Sequence, residues 1–260
     1  MLAARDQALH DVAMMQGGTS SDGQDFAAKQ AKIAAEFNAW APTYESGRLA
    51  PWYQMHAREV FKHLDLSGAR RVLDIGCGTG WALRQLAKRY PAIEFIGIDL
   101  APDMIAMAKE MASAENLANL AFFEADWEEV GQAIADASHA EIKPGFDCIL
   151  ALSSLHYVAD INTALASIRD SLYAGGSLVL VERDTRSSIL TNIWGALHKF
   201  VIRDGVEFID TEELLEMMRS TGFEPVSVLS SKQQFMRHGK LFTSVAVVKG
   251  VLPGGNAEPS

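Results

Sequence analysis

Apolar residues in this chain keep a helical period near the start and change to short continuous runs from residue 71 onward. In DFAAKQAKIAAEFNAW, Phe26, Ile33, Phe37 and Trp40 share one helical face. Pro42 ends that helix, because proline lacks the backbone donor and its ring clashes with the preceding turn. A second helical stretch, around Trp52 to Leu64, follows Pro51. Then RVLDI, EFIGID, LAFFEA, FDCILAL and SLVLVE read as strands, separated by helical stretches such as GWALRQLAKRY, APDMIAMAKEMASA and DINTALASIRDSLY. Strands of nearly unbroken apolar character, spaced by helices, are buried on both faces of a parallel sheet. AGG at 174–176 is the expected helix stop before the fifth strand.

The end of the chain breaks this rhythm. DTEELLEMMRSTGF predicts a helix capped by Asp210, with Glu213 three residues on and Gly222 just past its end. PVSVLSS and KLFTSVAVVK, joined by KQQFMRHG, have the spacing of a hairpin. The prediction is an α/β fold, a doubly wound seven-stranded sheet, mostly parallel with an antiparallel C-terminal hairpin. Residues 1–25 read as a flexible arm, since GGTSSDGQD is polar and glycine-rich, and 251–260 as a disordered tail. Residues 26–66 form a helical segment and 67–250 the main domain, interrupted at 184–209 by a long connection carrying its own short helix, SILTNIWGALHKF.

Composition narrows the class. Of 260 residues 48% are hydrophobic and 22% charged, so a large core can form and wholesale disorder is excluded. The net charge of −10 repels polyanions, so neither nucleic acid nor an anionic membrane is the expected partner. Cys77 and Cys148 are the two cysteines, one in a glycine loop and one in an apolar run, which suits neither a disulfide framework nor a metal site. Charges interrupt every apolar run of MLAARDQALHDVAMMQGG, and no stretch approaches a membrane span, so a cytoplasmic location is expected.

The candidate chemistry starts at DIGCGTG, where Gly76, Gly78 and Gly80 let the backbone turn sharply off the first strand and admit a ligand. A dinucleotide fingerprint would need glycine at position 81, where Trp81 stands, and this disfavours a pyrophosphate. Asp99 ends the second strand about twenty residues past Gly80, the place from which a carboxylate accepts ribose hydroxyls. A helix N-cap from Asp99 or Asp103 is the structural alternative. Asp126 follows the third strand, either as acceptor for an adenine amine, with Trp127 or Met104 packed on the ring, or as a solvated loop acid.

The segments VLDIGCGTG, IGIDLAPDMIAMAK, ADW, FDCILALSSLHYVAD and LYAGGSLVLVE, in this order, resemble the class I S-adenosylmethionine (SAM)-dependent methyltransferases. The resemblance covers roughly residues 70–183 and, more loosely, the end of the sheet. It implies a Rossmann-like fold, with Asp74 on the amino-acid end of SAM, Asp99 on the ribose and Asp126 on the adenine amine. Gly76, Cys77, Gly78, Gly80, Leu100, Met104, Ala125, Trp127, Leu152 and Arg48 complete the expected cofactor site. Tyr173-Ala174 replaces the family's usual Lys-Pro before the glycines, a departure confined to a turn.

Methyl transfer from a sulfonium is an in-line displacement that spreads positive charge away from sulfur. It needs positioning and a dry pocket, and a base only where the acceptor must first lose a proton. His156, beyond the fourth strand, is the leading candidate for that base or for orienting the substrate; the alternative is a brace for the cofactor site. Tyr157 reads as packing. WAPTYESGR resembles the stretch that lids the cofactor in small-molecule methyltransferases, which nominates Tyr44 as a second catalytic candidate beside Arg48. The 184–209 connection offers Trp194, His198, Arg203 and Phe208. The expectation is a small-molecule methyltransferase acting on O, N or C, leaving S-adenosylhomocysteine (SAH), with no metal. Its acceptor is aromatic or hydrophobic. A protein or RNA methyltransferase and a catalytically silent SAM-binding partner are the alternatives. ALSSLHY stands where base-methylating enzymes carry an Asn-Pro-Pro-Tyr-like motif.

Overall fold

The computed structural model describes residues 20–47, 50–125, 145–158, 160–183, 209–235 and 242–254. Helix α1 (Ser20–Trp40) passes through a short 3-10 turn (Ala41–Thr43) towards α2 (Ala50–Phe61). There follow β1 (Arg71–Ile75), α3 (Trp81–Arg89), β2 (Glu94–Asp99), α4 (Pro102–Ala114), β3 (Leu120–Glu124) and β4 (Phe146–Leu152). The chain continues through a 3-10 turn (Leu155–Tyr157), α5 (Ile161–Ser171), β5 (Leu172–Arg183), α6 (Thr211–Ser220), β6 (Val226–Phe235) and β7 (Phe242–Val251). The strand order is β3-β2-β1-β4-β5-β7-β6. β1 to β5 pair in parallel, and β7 runs antiparallel between β5 and β6.

The period-two pattern sorts each strand's side chains between two cores. Leu73, Ile75, Ile149, Ala151, Leu178 and Leu180 face α5 and α6, meeting Leu165, Ile168, Leu214 and Met218. Val72, Cys148, Leu150, Val179 and Val181 face the opposite layer, with Leu83 and Leu86 of α3, Ile105 of α4 and Val60 of α2. Burial on both sides explains why these strands carry no polar alternation. Ile149 is fully buried at the centre of the sheet. Ile149→Val is expected to cost about 0.5–1.5 kcal/mol, read as a lower urea midpoint at unchanged slope.

Three boundaries differ from the sequence expectation. Helix α1 begins at Ser20, so 20–25 are helical where a linker was expected. The α5 helix stops at Ser171, ahead of the glycines, and Leu172 is already extended; Gly175, at φ 82°, lies in the irregular start of β5. At the other end β7 runs to Val251, and Leu252 exchanges backbone hydrogen bonds with Gly175 and Gly176, so the sheet edge continues into the stretch read as tail. The α6 cap is as expected at Asp210, whose carboxylate accepts the Glu212 N–H at 2.9 Å, and Gly222 follows the helix at φ 101°. The 184–208 connection lies outside the described residues.

Helix α1 is fastened over the sheet's carboxyl edge by two kinds of contact. Phe37 and Trp40 pack with Ala41, Ala101 and Met104. Asn38 Oδ1 accepts the N–H of Asp103, satisfying an amide at the start of α4 that neither Asp99 nor Asp103 caps through its own side chain as N-cap.

Candidate active site

The glycine loop leaves β1 directly. Gly76, Gly78 and Gly80 all have positive φ, at 70°, 55° and 74°. Two of them also lack room for a side chain: a Cβ on Gly76 would lie 2.5 Å from Ser154 Cβ, and one on Gly80 would lie 2.3 Å from Phe122 Cζ. At Gly78 the nearest atom to such a Cβ is Tyr44 Cε1, at 3.4 Å, so Tyr44 lies across the loop. The amides of Gly76 and Cys77 both donate to Ile98 O, which ties the loop to the end of β2.

A cleft opens beside this loop, with Asp74, Gly76, Cys77 and Leu152 on the sheet side and Tyr44, Tyr53 and His56 on the N-terminal side. Asp74 is 1% exposed, and its Oδ1 is buried without a hydrogen-bond partner. Burial, reinforced by the Asp99 charge, raises its carboxyl well above the ordinary 3.8. An acceptor left unsatisfied in a cleft is stabilised by a ligand that brings donors or positive charge. Asp99 sits a strand away. Its Oδ2 accepts the Gly78 N–H at 2.8 Å and its Oδ1 accepts the Ala101 N–H at 2.9 Å. Burial raises its pKa, and the backbone amides of Ala101, Gly78 and Leu100 oppose the rise. Each oxygen keeps a second lone pair for a hydroxyl. Ala125 N–H donates to Asp99 O, which brings the end of β3 alongside. Met104 is fully buried beneath Tyr44 and Trp40. Cys77 is held as a thiol, its pKa pushed up by burial and by Asp99 and Asp74. Asp126, Trp127, Arg48, Trp194, His198, Arg203 and Phe208 lie outside the described residues.

The turn after β4 is pinned residue by residue. Ser153 N–H donates to Val181 O, Ser154 Oγ to Ile75 O, and Leu155 N–H to Glu182 Oε1 at 3.0 Å. His156 Nδ1 lies 3.0 Å from Glu182 Oε2. A carboxylate only accepts, so Nδ1 carries the hydrogen and the imidazole lone pair falls on Nε2. Tyr157 leans on His156, ring centroids 4.3 Å apart, and meets Phe37 edge-on at 5.3 Å. Tyr44 stacks on Tyr53 at 4.6 Å. Burial and the neighbouring Tyr53 hold Tyr44 well above 10, and burial takes Tyr53 to about 12, so both phenols remain donors at neutral pH.

Three participants were not singled out from sequence. Glu182 ends β5 at the carboxyl edge, and that strand-end position was its one available signal. His56 lies within a helical stretch, with no local cue. Glu45 sits in the WAPTYESGR segment; it accepts from Thr79 Oγ1 at 2.6 Å and pairs with buried Arg84, which also pairs with Glu115. This network clamps the Tyr44 segment onto the glycine loop and α3. Among the described residues no group of three His, Cys, Asp or Glu side chains forms a metal site, and no helix is long and apolar enough to cross a membrane.

A seven-stranded sheet with one antiparallel strand and a strand-end glycine loop, flanked by the buried Asp74 and the half-buried Asp99, defines an α/β fold with a candidate nucleoside site. Comparison with known proteins agrees. A family model described as a methyltransferase domain matches residues 66–235. The demethylmenaquinone methyltransferase of Deinococcus radiodurans is 29% identical over 227 residues, 80% of this chain and 88% of that enzyme. The trans-aconitate 2-methyltransferase of Mycobacterium tuberculosis is 29% identical over 147 residues, 55% of this chain and 48% of that enzyme. The structure of magnesium protoporphyrin IX methyltransferase from Synechocystis PCC 6803, with bound SAH, superposes with a TM-score of 0.62 at 14% identity, over 84% of this chain and 94% of that one. That likeness speaks for the fold. The chain belongs to the class I SAM-dependent methyltransferases.

Proposed function

We propose that this enzyme methylates an O, N or C atom of a small, flat, largely apolar molecule, with His156 as general base. The observation that carries this reading is the His156–Glu182 pair, 3.0 Å apart at the carboxyl edge of the sheet. SAM, when bound, supplies an electrophilic methyl and leaves as SAH. Asp74 offers its unsatisfied Oδ1 to the amino-acid end of the cofactor, Asp99 offers its remaining lone pairs to the ribose, and Asp126 is assigned to the adenine amine. Nε2 of His156 takes a proton from the acceptor, and Glu182 stabilises the resulting imidazolium across Nδ1–H. Tyr44 covers Gly78 and stays protonated, a hydrogen-bond donor and a wall against water.

The aromatic rings of Tyr44, Tyr53 and Tyr157 around this edge favour a flat acceptor. A quinol is the first class to try, because the Deinococcus relative named for demethylmenaquinone aligns with 80% of the chain. The test supplies purified protein and SAM with, separately, a short-chain demethylmenaquinone reduced by dithionite, trans-aconitate, total RNA and a protein extract, and measures SAH. SAH is expected with the reduced quinone. Transfer confined to RNA or protein would replace this reading with a macromolecular substrate, and SAM binding without any transfer would leave a silent partner.

The cofactor assignment has its own check. Asp99→Asn is expected to weaken SAH binding roughly 10- to 100-fold in calorimetry, the worth of a hydrogen bond to a charged group. Unchanged affinity would remove Asp99 from the ribose.

A further inference from the structure

The buried imidazole of His56 belongs to α2, outside every motif that carries the family resemblance, yet it lines the same cleft as Asp74, Gly76 and Leu152. Its Nδ1 shares a 2.8 Å hydrogen bond with Ser153 Oγ. Ser153 is held at φ 60°, a left-handed conformation that costs any residue with a Cβ and that glycine adopts freely. Its hydroxyl is committed to His56, and the strained backbone persists around that contact. Three residues further on stands His156, close enough that a positive charge there opposes protonation of His56. Burial, with that neighbouring charge second, lowers His56 to about 3, so the ring is neutral at any physiological pH. It is too weakly basic to take the acceptor's proton. A neutral imidazole can instead give or take one hydrogen bond without adding charge to a dry cleft. The nearest walls are aromatic, Tyr44 and Tyr53.

We propose that His56 is a specificity-determining residue that hydrogen-bonds a neutral hydroxyl of a flat aromatic acceptor, with Ser153 as the positioning residue that fixes its ring. This rests on the small-molecule reading above and deepens it: His156 handles the proton, and His56 selects acceptors that carry a hydroxyl. A buried imidazole left facing a group that cannot pair with it penalises the wrong ligand, which is how polar sites discriminate strongly.

The test measures binding, so it stands apart from turnover. The SAH-loaded enzyme is titrated with 1,4-dihydroxynaphthalene under reducing conditions and with 1,4-dimethoxynaphthalene, its hydroxyl-free counterpart. Wild type is expected to favour the dihydroxy compound by about tenfold or more, the scale of one buried hydrogen bond. His56→Leu is expected to abolish that preference while leaving dimethoxynaphthalene affinity and SAH affinity in place. Ser153→Gly keeps the backbone conformation at no strain, so its melting temperature is expected to equal or exceed that of wild type while the preference shrinks. A purely structural Ser153 would leave the preference intact in the glycine variant, and a His56→Leu protein that still discriminates would overturn the proposal. So would a wild type that binds both compounds equally or neither. Binding with discrimination but without methyl transfer would instead defeat the catalytic reading and leave His56 as a hydroxyl selector.

Discussion

Replacing His156 with glutamine is expected to lower kcat by about 10²–10⁴-fold, the usual contribution of a positioned general base. SAH affinity should be unchanged, because the cofactor contacts assigned above lie on other residues. Glu182→Gln is the informative companion. It leaves Leu155 N–H an acceptor but presents the wrong partner to the imidazolium, so kcat should fall with little change in KM. Full turnover by both variants on the true acceptor would reduce the pair to a brace that shapes the turn after β4.

Asp74→Asn is expected to push stability and binding in opposite directions. In the ligand-free fold the carboxyl is buried, with Oδ1 unsatisfied, and its pKa is raised well above 3.8 by burial and by Asp99. The folded chain therefore holds this proton at pH values where the unfolded chain has released it. Stability from this group is full below 3.8 and is lost as pH rises through the folded value. Asparagine removes that loss, so the unliganded variant should match wild type in acid and exceed it by about 1–3 kcal/mol at alkaline pH. Denaturant melts across pH read this directly. SAH affinity is expected to fall more than about a hundredfold, since one partner of a buried charge pair has been deleted. A variant that binds SAH like wild type would end the assignment of Asp74 to the amino-acid end of the cofactor.

Most of the sheet was legible because its signals are local. The apolar runs of β1 to β4, and the core of β5, predicted strands whose alternate residues do fill two separate cores, and the hairpin spacing predicted the antiparallel end. Boundaries slipped where neighbours override propensity. Ser20 to Asp25 look like a linker in isolation, yet continue a helix whose later turns pack on Met104 and Ala101. Gly175 reads as a helix stop, but α5 has already ended at Ser171, four residues earlier, as Leu172 turns extended at the start of β5.

The sequence by itself determined the α/β class, the glycine turn off the first strand and the acid at the end of the second. Each is written in consecutive residues, through periodicity and the sterics of a missing Cβ. Only the tertiary structure decided which distant side chains meet around the cleft and the turn after β4. The partner of His156 is 26 residues away in Glu182, the partner of Ser153 is 97 away in His56, and the clamp on the glycine loop joins Arg84 to Glu45 across 39. Hydrogen bonds between residues so distant leave no period in the chain, because the pairing of β4 with β5 sets His156 beside Glu182, and the packing of the N-terminal helices against the sheet and α3 brings in His56 and Glu45.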